Sequence, residues 1–184
     1  MLNKKEFVKI RKELDKAEKL RESVIQGSRE AIRLSKQIIY ALHRNDVKKA
    51  ASLVKKIKSR IKSISSEDCG TGMRRVALQE YTEALALYSF VKFKKIPARA
   101  ELGVETESYL IGLCDLTGEL MRMAVNKAIM KKYDDVLEIK ELVDTIYGEF
   151  LQFDLRNSEL RKKSDQIKWN LQKLGDMVYN IAKK

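Results

Sequence analysis

Proline occurs once, at Pro97, and glycine eight times in 184 residues, so little in this chain forces turns or broken backbone. Apolar residues recur at helical spacing nearly throughout, and together these features point to an all-α protein with short connections. Histidine occurs once, at His43, and the two cysteines, Cys69 and Cys114, lie far apart without CxxC spacing. That argues against a zinc site and for reduced thiols in a cytoplasmic protein. No run of eighteen apolar residues is present, so no membrane span is expected. The start, Met-Leu-Asn-Lys-Lys-Glu, lacks the apolar stretch of a secretory signal.

Basic residues are abundant. Lysine and arginine total 38 against 26 acids, a net charge of +12. Such an excess favours polyanionic partners, nucleic acid first. A lysine-rich surface that keeps a protein in solution accounts for the same number equally well.

Along the chain, Asn3 with Glu6 three residues on resembles a capping box and opens a charged helix to about residue 26. Gly27-Ser28 then breaks or kinks it, and a second helix runs from Ser28 to Arg44. Asn45-Asp46 caps a third, Val47 to about Ile64, whose apolar face is Val47, Ala50, Ala51, Val54, Ile57, Ile61 and Ile64. The stretch from Ser65 to Gly72 reads as a loop. Further helices are expected from Met73 to Lys95, stopping before Pro97, then Glu105 to Lys131, Asp134 to Phe153, and Ser158 to Ile181 after an Arg156-Asn157 turn. Without repeats or linkers, residues 1–184 read as a single domain, a bundle of six or seven helices.

Charge is missing where it matters most. At the overall 35% charged, the sixteen residues Val76 to Val91 would carry about five or six charges, yet they hold only Glu80 and Glu83. The stretch from Ser108 to Asn126 admits only Asp115, Glu119 and Arg122. At about 100° per residue, Glu83 falls about 60° from Glu80, in a sector shared with Val76, Leu87, Phe90 and Val91. Thr82 and Ser89 lie on the opposite side, so the glutamates are not part of a solvated stripe. On the later helix Ser108, Gly112, Asp115, Glu119, Arg122 and Asn126 recur at intervals of four and three, forming one polar seam among apolar neighbours. Such a seam lines a wet cavity or meets another polar seam, and the Glu80/Glu83 pair is a natural partner.

Four facing carboxylates repel unless protonated or bridged by cations. Oxygen-only ligands suit Mg²⁺ or Mn²⁺, which activate water and steady charge developing at a phosphodiester. The competing reading is an internal ion-pair network in which Arg122 holds Glu119 and Asp115. A di-iron bundle needs Glu-x-x-His pairs, whereas His43 has Tyr40 three residues before it. His43, at a helix end, reads as structural rather than as a general base. On the same helix Arg29, Arg33, Lys36, Tyr40 and His43 follow one stripe, with Arg44 beside it. That mixture suits single strands, although an ordinary solvated face would look alike. Arg74 and Arg75 precede Glu80 by one or two turns, where cations would bring phosphate to the acids.

Three segments carry a family resemblance. Val76-Ala-Leu-Gln-Glu-Tyr-Thr-Glu-Ala-Leu resembles the Leu-Gln-Glu-Tyr-x-Glu-Ala segment of translin-associated factor X (Trax), in the translin family. Tyr109 to Asn126 is similar to the Trax segment Tyr-Leu-Leu-Gly-x-x-Asp-Leu-Thr-Gly-Glu-Leu-Met-Arg. Ser35 to Arg44 resembles the family's first long helix, while Asn157 to Asp165 and Val178-Tyr179 look closer to translin itself. The resemblance implies an all-α protomer assembling into a closed hollow homo-oligomer, often an octamer, that encloses single-stranded RNA and binds single-stranded DNA as an alternative. It also implies a Mg²⁺-dependent endoribonuclease site, with Glu80, Glu83 and Asp115 as the catalytic, metal-holding acids and Glu119 as a further one. Translin lacks the equivalent acids, so a non-catalytic strand-binding protein of the translin type is the rival expectation. Arg29, Arg33, Lys36, Tyr40, Arg44, Arg74, Arg75 and Arg122 are the expected nucleic-acid contacts. Unlike Trax, the chain has no long insertion between the acidic motifs and no extended basic N-terminal tail. Mixing features of both partners, it resembles a prokaryotic, archaeal-type single-chain version.

Overall fold

The computed structural model describes residues 2–67, 69–156 and 158–183, and among these it contains seven helices. Asn3 starts the first, α1 (Lys4–His43), its side chain accepting from the backbone N–H groups of Lys5 and Glu6 at 3.2 and 3.3 Å. The expected interruption at Gly27-Ser28 does not occur. Gly27 is instead buried where α1 meets Ile64, and a Cβ there would lie 3.0 Å from the Ile64 side chain. The glycine serves close packing, which offsets its cost of about 1 kcal/mol in a helix interior. At 1.5 Å per residue α1 is about 60 Å long. Its residues up to Lys19 are exposed, and its apolar face is buried from Val24 onward.

Asp46 caps α2 (Val47–Ser63) by accepting from the Lys49 N–H at 3.0 Å, as its position suggests. Ala50, Val54, Ile57 and Ile64 are buried as expected, and Leu53 joins them, while Val47, Ala51 and Ile61 are half-buried. Then follow α3 (Met73–Phe93), a single turn α4 (Arg99–Leu102), α5 (Thr106–Ile129), α6 (Tyr133–Phe150) and α7 (Glu159–Ala182). Of the loop and turn read from sequence, Asp68 and Asn157 lie outside the described residues.

The layering follows from which faces are apolar. α1 packs on α2 and α3, α3 on α5, and α5 on α6 and α7. α3 and α5 are therefore the central pair, and both are buried on most of their circumference. This corrects one reading: Thr82 and Ser89 do not mark a solvated side of α3. Both are buried, with Thr82 Oγ1 satisfied by donating to the Leu78 carbonyl at 2.8 Å, while Val76, in the acidic sector, is exposed.

α3 and α5 touch through Gly112. A Cβ at that residue would lie 2.6 Å from Thr82 Cβ and 2.8 Å from the Gln79 carbonyl oxygen. Backbone and a β-branched side chain cannot give way there, so the helices must separate to admit a methyl group. Gly112→Ala is expected to destabilise the protein by about 2–3 kcal/mol. Urea unfolding monitored by circular dichroism checks it, and an unchanged midpoint would contradict the close-approach argument.

Candidate acidic site and its basic flank

Gly112 lies three residues before Asp115, and Thr82 stands between Glu80 and Glu83. This close contact joins the two helices that carry the acids, and Asp115 and Glu119 of one act on Glu80 and Glu83 of the other. Glu83 is half-buried and pushed up to about 8, by burial first and then by Asp115, Glu80 and Glu119. Glu80 is also raised by burial, with Lys36 opposing, Asp115 raising, Lys163 opposing and Glu119 raising. All four carboxylates therefore share one field, the grouping the sequence predicts.

Three of the seam's members behave differently from one another. Asp115 accepts from Lys163 Nζ at 2.6 Å, a pairing between α5 and α7. Glu119 pairs with His43 Nε2 across to α1, and with Arg122 at 3.5 Å on its own helix. The His43 hydrogen bond is the main reason the Glu119 carboxyl falls below the usual carboxylate range. Ser108, at the head of the seam, is buried with its hydroxyl unpaired. The ion-pair expectation is met for Arg122 with Glu119, while Asp115 takes Lys163 as its partner instead.

His43, placed by its helix-end position among structural residues, is an internal partner of the acidic group, with a side chain only 4% exposed. Lys163 escaped notice altogether. Nothing local distinguishes it from Lys162 beside it, and only the packing of α7 on α5 aims it at Asp115.

The basic stripe on α1 lies along this site. Lys36 acts on Glu80, and His43, one heptad or about 10 Å further along the helix, reaches Glu119. Arg29, Arg33 and Tyr40 continue the same line and are exposed, Tyr40 to 57%. The guanidinium of Arg44 lies over the Tyr40 ring, 5.7 Å from its centroid. Arg122 is also largely exposed. At the start of α3, Arg75 is exposed, whereas Arg74 is committed to Glu105 at 2.6 Å.

The donor set is made of carboxylate oxygens, which suits Mg²⁺ or Mn²⁺. A dication among the acids would also relieve the burial and mutual repulsion that hold Glu83 near 8. In the present arrangement no three His, Cys, Asp or Glu side chains among the described residues are gathered as a metal-holding group. Asp115 is turned toward Lys163 and Glu119 toward His43 and Arg122. The residue types fit the ion, and at Asp115 Oδ1 it would compete with the Lys163 ammonium.

Among the described residues no helix is long and apolar enough to cross a membrane. A family model described as the Translin family matches residues 19–182. An uncharacterised protein of Methanocaldococcus jannaschii is 30% identical over 171 residues, covering 86% of this chain and 75% of that protein. Translin-associated protein X of Mus musculus is 24% identical over 222 residues, covering 95% and 77%. Translin of Gallus gallus is 32% identical over 79 residues, which is 43% of this chain and 34% of that protein. A crystal structure described as apo-NeC3PO superposes with a TM-score of 0.89 at 30% identity, covering 97% of each chain. One described as AfC3PO shares the fold with a TM-score of 0.85 at 23% identity. With nearly its whole length under one family model and its helices superposing on such a relative, the chain belongs to the translin family.

Proposed function

We propose that this protein is a Mg²⁺-dependent endoribonuclease that cleaves single-stranded RNA within a homo-oligomeric shell. The observation that carries the proposal is Glu83, a half-buried carboxyl whose neighbours Asp115, Glu80 and Glu119 all oppose its ionisation. An acidic group concentrated at this cost, beside a basic stripe, is an arrangement that catalysis uses and stability alone does not favour. When bound, Mg²⁺ or Mn²⁺ supplies an acidified water and neutralises charge developing at the phosphodiester.

The chain's own residues divide the remaining work. Glu80, Glu83, Asp115 and Glu119 would hold the ion, and His43 and Arg122 keep Glu119 ionised and oriented. Arg29, Arg33, Lys36 and Arg44 carry backbone phosphates past the acids, and Tyr40 offers a face on which a base stacks. Arg75 and Arg122 are available for further phosphate contacts, while Arg74 must first leave Glu105. RNA as the polymer is supported by a solved structure of the same fold, described as a complex of AfC3PO with duplex RNA. Exposed apolar residues Phe7, Ile10 and Leu14 on α1, with Trp169 on α7, supply surfaces for association between copies.

The pairing of Asp115 with Lys163 and of Glu119 with His43 favours a second reading, a strand-binding protein in which the acids serve structure. Purified protein incubated with labelled single-stranded and duplex RNA, with Mg²⁺ or with chelator, separates the two. We expect cleavage in Mg²⁺ only, and a fall of roughly a hundredfold or more in Glu80→Gln/Glu83→Gln with binding retained. Binding that weakens steeply with salt but never leads to cleavage would establish the second reading instead.

Glu83 also predicts a pH dependence of stability. It holds its proton in the fold up to about pH 8, but releases it near its ordinary value of 4.5 in the unfolded chain. The folded state binds the extra proton between those values, so stability is lost as pH rises from about 4.5 through about 8. Glu83→Gln removes that loss. By calorimetry the variant is expected to exceed the parent by about 1–2 kcal/mol, or roughly 3–6 °C, at about pH 9, with the gap closing toward pH 5. Parallel stability profiles for the two would contradict the raised ionisation.

A further inference from the structure

Lys163 stands on α7, outside both acidic motifs, yet its ammonium donates to Asp115 Oδ1 at 2.6 Å. The same charge acts on Glu80 and Glu83, so one lysine serves three of the four carboxylates. Its place is set by packing. Ile167, one turn on, is fully buried, and Asn170, a further turn along, donates to Thr117 Oγ1 on α5 at 3.0 Å. α7 is thereby fixed against α5 in the register that brings Lys163 to Asp115, two residues before Thr117.

An ammonium in this position opposes a second cation twice over. It occupies a lone pair of the carboxylate, and its charge repels a dication from neighbouring oxygens. It is also able to leave. The side chain is 32% exposed, and a lysine stem swings its compact charge through four rotatable carbons. Arg122 is placed differently, since it is 56% exposed and pairs with Glu119 on its own helix.

We propose that Lys163 is a built-in competitor for the divalent cation of the acidic site, holding Asp115 until the cation displaces its ammonium. This rests on the metal-dependent reading of the site given above. It makes Lys163 a positioning residue that sets the cation concentration at which the site fills, and so the threshold at which the protein becomes active.

The test reads cation binding without RNA. Mn²⁺ is titrated into the full chain at about pH 8 and the free ion is followed by electron paramagnetic resonance. Lys163→Met keeps the stem and removes the charge, Lys163→Gln is a second neutral variant, and Lys163→Arg keeps the charge. Circular dichroism confirms that each is folded. Both neutral variants are expected to bind Mn²⁺ roughly tenfold more tightly than the parent, with Lys163→Arg close to the parent. Equal or weaker binding by folded neutral variants overturns the inference and leaves the metal-dependent reading standing. Mn²⁺ binding by neither parent nor variants defeats both. Tighter binding in the neutral variants, with no RNA cleavage by any form, upholds the competition while defeating the nuclease reading.

Discussion

Everything at the acidic centre depends on how closely α3 and α5 approach at Gly112, where an added methyl group would fall 2.6 Å from Thr82 Cβ. That approach holds together the two helices that carry the acids, and Asp115 and Glu119 act on Glu80 and Glu83 across it. Thr82 contributes by turning its hydroxyl back to the Leu78 carbonyl, which leaves its methyl and Cβ to pack against the glycine. The remaining helices take their places around this pair. α1 covers α3, α7 and α6 cover α5, and both flanks reach the acids, α1 through Lys36 and His43 and α7 through Lys163.

This arrangement explains why the acids differ among themselves. Glu119, hydrogen-bonded to His43, is held ionised, while Glu83, facing three carboxylates and burial with Lys163 opposing them, keeps its proton to about 8. A site with one secure anion and one reluctant one gains from a dication far more than four independent surface acids would. The basic stripe of α1 runs beside it, because Lys36 belongs at once to that stripe and to the field at Glu80. Basic residues of α1 and the acids of α3 and α5 are therefore neighbours.

Much of this was legible in the sequence. The two charge-depleted stretches and the four-three seam located Glu80, Glu83, Asp115 and Glu119, because period and composition record which residues share a helix face. Caps were legible for the same local reason, as at Asn3 and Asp46. The continuity of α1 was not, because Gly27 has two physical uses and only the position of Ile64 selects close packing over a break. Thr82 and Ser89 misled because a hydroxyl satisfied within its own helix can be buried, so a polar letter does not guarantee a wet face. Lys163 and His43 lay beyond reach since each meets its acid across a sequence separation that only tertiary packing closes, 48 and 76 residues respectively.

The central claim is that these four carboxylates form one cation-binding centre rather than a self-contained ion-pair network. Crystals soaked in Mn²⁺ and measured at its anomalous edge test it most directly. The account predicts an anomalous peak coordinated by oxygens of Glu83 and Asp115, with Glu80 or Glu119 completing the set and Lys163 displaced from Asp115. Crystals that take up Mn²⁺ only elsewhere, with Asp115 still on Lys163 and Glu119 still on His43, would contradict it.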